Sequence, residues 1–131
     1  MAFKVEKRSL LNNQAFASGV SKIGAYTGFK DAKKLYNATR IASLVGTEVR
    51  SASDHLREQL DKYGGHIEPN TGRIVVDDPE KKKKWDAFYE KFLDEEVDFQ
   101  RHRIPLSDVL EVGLAPFEID ALGELLELPE D

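Results

Sequence analysis

Apolar positions along this chain form one long stripe and several short ones. From Asp31 to Tyr63 there is no proline and a single glycine, and Leu35, Ala38, Ala42, Val45, Val49, Ala52, Leu56 and Tyr63 recur at alternating steps of three and four, broken only by Gln59. Such spacing gathers these residues on one side of a helix. Ile41, Leu44 and Leu60 widen the stripe, so the helix is expected to dock broadly within a domain rather than along a narrow coiled-coil seam. Asp31 is placed to cap its start, and Gly64-Gly65 to stop it.

Shorter patterns flank this helix. Phe3 and Val5 alternate with Lys4 and Glu6, and FKVEKR reads as an edge strand because of its lysines. Ser9 is expected to cap a helix over LLNNQAFASGVSKIG that two asparagines and Gly19 weaken. GAYTGFKD reads as a loop hinged at Gly24 and Gly28 and anchored by Tyr26 and Phe29. After the long helix, Ile67, the turn Pro69-Asn70-Thr71-Gly72 and Ile74-Val75-Val76 predict a short hairpin. Asp78-Pro79 opens a further helix, with Trp85, Phe88 and Phe92 on one face. That aromatic face is the expected partner of Val45 and Val49. VDFQRHRI (97–104) alternates like a strand able to pair with FKVEKR or the hairpin. It is followed by a helical turn capped by Ser107 and a last helix with Phe117, Leu122, Leu125 and Leu126 turned inward. The sum is one α+β domain spanning 1–131, a long central helix packed with two or three shorter helices and a small antiparallel sheet or hairpin.

Length sharpens the picture. A helix from Asp31 to Tyr63 would run about 50 Å, whereas a compact domain of this size is about 36 Å across. Gly46 inside it costs about 1 kcal/mol relative to alanine, enough to make a helix pliable but rarely to sever it. An overshooting end would expose Leu35 and Ala38, or Leu56 and Leu60, and a second chain is expected to cover that strip.

Composition narrows the function classes. At 131 residues the chain suffices for one real core, and the lack of cysteine excludes a disulfide scaffold and thiolate zinc sites. No apolar run has signal-peptide or transmembrane length, so a soluble intracellular protein is expected. The net charge of −5 conceals a gradient. Residues 1–40 carry eight Lys/Arg against two acids, +6, whereas residues 94–131 carry two Arg against twelve acids, −10. Intramolecular compaction accounts for this layout; head-to-tail contact between copies, or an acidic face offered to a basic partner, is the sharper alternative. Glu118, Asp120, Glu124 and Glu127 are the candidate acidic contacts.

Candidate chemistry is sparse. Lys81–Lys84 lie among Asp77, Asp78, Glu80 and Asp86 in an acidic chain, which argues against nucleic-acid binding. His55, His66 and His102 form no spaced ligand pair, and Arg101 and Arg103 flank the last of them, so no metal site is expected. Asp94-Glu95-Glu96 and Asp98 lack calcium-loop spacing. No nucleophile elbow, phosphate loop or dinucleotide fingerprint occurs. No catalytic residue, cofactor or enzymatic activity is therefore assigned.

Lys62-Tyr63-Gly64, Asp78 with Phe88 and Phe92, Glu95-Glu96-Val97 and the leucine-rich acidic tail follow one another in an order that resembles small accessory and structural proteins of tailed bacteriophages. The likeness covers the C-terminal two thirds and includes no catalytic motif. It implies a virion or assembly component that acts as an oligomer and contacts itself or other phage or host proteins. The implied location is the cytoplasm of an infected bacterial cell or the virion. The alternative is a phage-encoded inhibitor or regulator that binds a host protein through its acidic C-terminal part.

Overall fold

The computed structural model describes residues 3–128. Strand β1 (Phe3–Glu6) leads into helices α1 (Lys7–Asn12), α2 (Gln14–Ala25) and α3 (Ala32–Lys62). Strands β2 (His66–Ile67) and β3 (Ile74–Val75) form a hairpin, followed by α4 (Pro79–Asp94) and β4 (Glu96–Phe99). The chain continues through β5 (Ile104–Pro105), α5 (Leu106–Val112), α6 (Pro116–Leu122), a 3-10 turn at Gly123–Leu125 and β6 (Leu126–Glu127). The architecture is α+β, organised around α3.

Helix α3 is continuous over 31 residues, with Asp31 accepting from the Lys33 N–H at 2.8 Å as its N-cap. At its far end Gly64 adopts φ +69°, and the Gly64 and Gly65 N–H groups donate to Asp61 and Leu60. Only a residue without Cβ takes that turn cheaply, which is why the paired glycines stop the helix. Gly46 does not interrupt it.

Two cores share the stripe. Ala38, Ile41 and Val45 belong to the main core with Phe3, Val5, Phe16, Val20, Ile23, Phe99, Ile104, Val109, Leu122 and Leu125. Leu60 belongs to a second cluster with Val76 and Trp85, flanked by Leu56, Tyr63, Phe88 and Tyr89. Trp85 and Phe88 of α4 therefore belong to the second cluster, whereas Val45 is buried in the main core and Val49 packs against it. The aromatic face of α4 meets the second half of α3: Trp85 lies against Tyr63 at 5.9 Å between ring centroids and Phe92 against His55 at 5.5 Å. A short hairpin returns α4 antiparallel from the end of α3, and that return fixes the register.

The same packing corrects the expectation for the helix ends. Ala38 and Leu60 are buried and Leu56 is half-buried by residues of the same copy, so the hairpin and α4 cover the C-terminal overshoot without a second chain. Leu35 remains open.

Strand β4 pairs antiparallel with β1 in the register Phe3↔Phe99 and Val5↔Val97, stacking the Phe3 and Phe99 rings at 5.4 Å. The expected 97–104 strand is divided, however. The polar run 100–103 leaves the ladder, and β5 pairs in parallel with β6, Ile104↔Leu126. Two caps also differ. Ser9 lies inside α1, which has no side-chain cap, while Asn13 ends that helix and accepts from the Phe16 N–H at 3.0 Å to begin α2. Ser107 lies inside α5, which starts after Pro105 without a side-chain cap. In α6 the inward face holds Glu118 and Leu122, one helical step of four, so Phe117 is rotated outward and left 64% exposed.

Gly19 proves to be a packing residue: a Cβ there would lie 3.2 Å from Leu122 Cδ2 of α6. At Gly24 a Cβ would lie 2.9 Å from the Ala42 Cβ of α3, whereas at Gly46 it would meet nothing within 4 Å. Gly46→Ala is expected to stabilise the protein by about 1 kcal/mol through helix propensity. Gly24→Ala is expected to destabilise it, because neither backbone-anchored methyl can turn aside; urea midpoints of opposite sign are the check. Truncation of the buried Phe92 to alanine should cost about 3–5 kcal/mol, and of the half-buried Phe88 clearly less. Equal losses at the two positions would refute this seating of α4.

Candidate functional site

The open end of α3 borders a cationic pocket of about 560 Å³. Lys33, Lys34, Tyr36 and Asn37 enter it from the first turns of α3, and Arg101, His102 and Arg103 from the polar run between β4 and β5. Pro105, Asp108 and Glu127 complete the wall. The positive end of the α3 dipole adds to this field, partly offset by the Asp31 cap.

Each cation has a different degree of engagement. Lys34 lies 3.4 Å from the buried Asp108. Arg103 donates from Nε to the Glu124 carbonyl at 2.9 Å and from Nη2 to the Glu124 carboxylate at 3.2 Å. Arg101 donates from Nη2 to Asn37 Oδ1 at 3.1 Å and lies 5.4 Å from the centroid of the Tyr36 ring. Its Nε is the one buried side-chain polar atom among the described residues that has no hydrogen-bond partner. The guanidinium is thus held by a neutral amide and carries one donor without a partner. Arg101 is half-buried and Tyr36 is 62% exposed.

The candidate residues chosen from sequence separate. Leu35 is 38% exposed, while Ala38, Leu56 and Leu60 are taken up by the protein's own cores. Asp120, Glu124 and Glu127 are exposed. Glu118 is not part of that acidic face. It is fully buried between α2 and α6, where it accepts from Ser18 Oγ at 2.6 Å, Lys22 Nζ at 2.9 Å and the Ala115 N–H at 2.9 Å. Lys22, then Ser18, then the backbone N–H hold its carboxyl far below the ordinary 4.5, at about 2. Ser18 and Lys22 are one helical step apart on α2, the only trace of this site in the sequence.

Part of the charge gradient is answered inside one copy. Lys7 pairs with Glu95, Arg8 with Glu90 and Asp94, Lys22 with Glu118 and Lys34 with Asp108, in each case an N-terminal cation with an acid far along the chain. Among the described residues no group of His, Asp and Glu is placed to hold a metal, and no helix is long and apolar enough to cross a membrane. Comparison with protein-family models, with curated proteins and with solved structures finds no match to this chain.

The buried carboxylate gives a pH signature. Because the folded-state value of Glu118 lies below its unfolded value, its stabilisation is complete above about pH 4.5 and lost as pH falls towards about 2. The stability gap between the wild type and Glu118→Gln should therefore shrink across that window. A gap that stays constant or widens on acidification would contradict the network.

Proposed function

We propose that this chain is a non-enzymatic protein–protein interaction subunit that works as an oligomer, of the kind tailed bacteriophages build into virions or use to assemble them. The observation that carries the reading is the asymmetry of α3. The hairpin and α4 cover one end of its stripe, while the other leaves Leu35 and Tyr36 open beside a cationic pocket with an unanswered donor. Exposed aromatic and guanidinium groups set together are the usual anchors of protein interfaces. The two buried charged side chains among the described residues, Asp108 and Glu118, are each engaged by a lysine and so serve the fold rather than chemistry. No cofactor is required, and the exposed acids near the pocket disfavour nucleic acid as a partner. The phage setting is supported by the order of segments from Lys62-Tyr63-Gly64 to the acidic leucine-rich tail.

A second reading, a regulator that binds a host protein through its acidic C-terminal part, is favoured by one feature. Asp120, Glu124 and Glu127 remain exposed on the segment that also exposes Phe117 and Leu128. Mass spectrometry of gradient-purified particles separates the two: a virion component is present at fixed copy number, and a regulator is absent.

Light scattering at micromolar concentration tests the subunit itself. The wild type is expected to exceed the 14.8 kDa monomer mass and Leu35→Asp to revert towards it with an unchanged melting temperature. Leu56→Asp should instead lower the melting temperature, because Leu56 packs against the second core. A wild-type monomer that also captures no phage or host protein would sink the proposal.

A further inference from the structure

Strand β1 has two edges and pairs along one of them, with β4. The Lys7 N–H donates at 2.8 Å to the carbonyl of Glu95, directly across the ladder, so positions 7, 5 and 3 are the ones that exchange hydrogen bonds with β4. The alternate peptide groups, those of Lys4 and Glu6, therefore point away from β4. Among the described residues no backbone hydrogen bond outside the ladder reaches the Lys4 N–H or carbonyl. On that side lies a cleft of about 560 Å³. All four residues of β1 line it, residues 121–124 form its other wall, and residues 97–99 of β4 take no part in it.

An open strand edge is answered most completely by another strand, which returns a donor and an acceptor to each outward residue. A helix has spent its own backbone groups internally and would leave Lys4 unanswered. Charge then selects among strands. Lys4 stands opposite Asp98, but Glu6 stands opposite Glu96, and neither of these carboxylates has an ion-pair partner among the described residues. Like charges directly opposite one another destabilise a ladder, and both side chains line the cleft. Glu124, the third carboxylate there, is already held by Arg103. The uncompensated charge in the cleft is negative. In a second copy β1 is itself walled by residues 121–124, so a free extended segment enters this cleft more readily than another β1 does.

We propose that β1 takes an extended, basic segment of a partner protein as a third strand in this cleft, its backbone exchanging hydrogen bonds with Lys4 and a lysine or arginine side chain lying beside Glu6 and Glu96. The proposal rests on the reading of the chain as an interaction protein, and it names a partner chemistry and a contact apart from the open end of α3.

A short capped peptide alternating valine and lysine is the probe, added to the isotope-labelled full chain and followed by NMR. Saturable binding is expected, with hydrogen exchange at the Lys4 amide slowed by about tenfold or more, because an open N–H becomes bonded. The Val5 amide, already in the ladder, should not change. Lys4→Pro removes the outward N–H but no ladder bond, a change an edge strand accepts; it should weaken binding by about tenfold or more at an unchanged melting temperature. Glu6→Lys should weaken binding too. Methylation of the peptide's backbone nitrogens keeps its charge and should abolish binding. The proposal is overturned by a peptide that does not bind at millimolar concentration, by a methylated peptide that binds equally well, or by binding unchanged in Lys4→Pro and Glu6→Lys. It is also overturned if the Lys4 amide of the free chain becomes protected as protein concentration rises, which would give this edge to a second copy. None of the first three results alters the mass change expected of Leu35→Asp, so the subunit reading stands or falls separately.

Discussion

Everything in this structure depends on covering an apolar stripe that is longer than the domain built around it. At 1.5 Å per residue α3 spans about 46 Å, more than a single core of this chain's size can enclose. The chain answers by dividing its apolar residues into two clusters on one helix. The main core takes the first half of the stripe from Ala38 to Val45, and the hairpin with α4 takes the end around Leu60. The aromatic residues of α4 lie along the second half of α3, with Trp85 beside Tyr63 and Phe92 beside His55.

Closing the main core imposes close backbone approaches. Helix α2 lies between α3 and α6, and Gly24 and Gly19 are positions where those neighbours leave little or no room for a Cβ. What looks in the sequence like helix-weakening glycine is contact geometry, since propensity counts the backbone's own preference and ignores what packs against it. The crossing also brings Ser18 and Lys22 to Glu118, and a carboxylate that would otherwise lie on an acidic surface becomes a buried three-way clamp. Burial of an ionised group is tolerable because all three donors are in place.

The charge gradient has two consequences of unequal weight. Part of it is spent on pairs within one copy, and the exposed pairs among them contribute little to stability. The remainder is local. The polar run 100–103 leaves the β1–β4 ladder and delivers Arg101 and Arg103 beside the first turns of α3, facing Glu127. Sequence reading passed over Arg101 because alternation placed it in a strand. Its neighbour Asn37 lies on the long helix, and nothing in the local pattern relates positions 64 residues apart.

The sequence by itself determined the elements whose causes are local. Asp31 and Asp78 cap, Pro79 opens and Gly64 stops a helix, Gly72 turns the hairpin, and the three-four stripe makes α3 continuous; each follows from the φ, donor or periodicity of a few adjacent residues. Leu35 was legible as an open apolar position because it falls at the end of that stripe. Tertiary structure alone decided what covers Ala38, Leu56 and Leu60, that β6 pairs with β5, and that Phe117 turns outward while Glu118 turns in. Those outcomes depend on contacts between residues far apart in the chain, whose energies are settled only when shape, burial and hydrogen-bond partners are satisfied together.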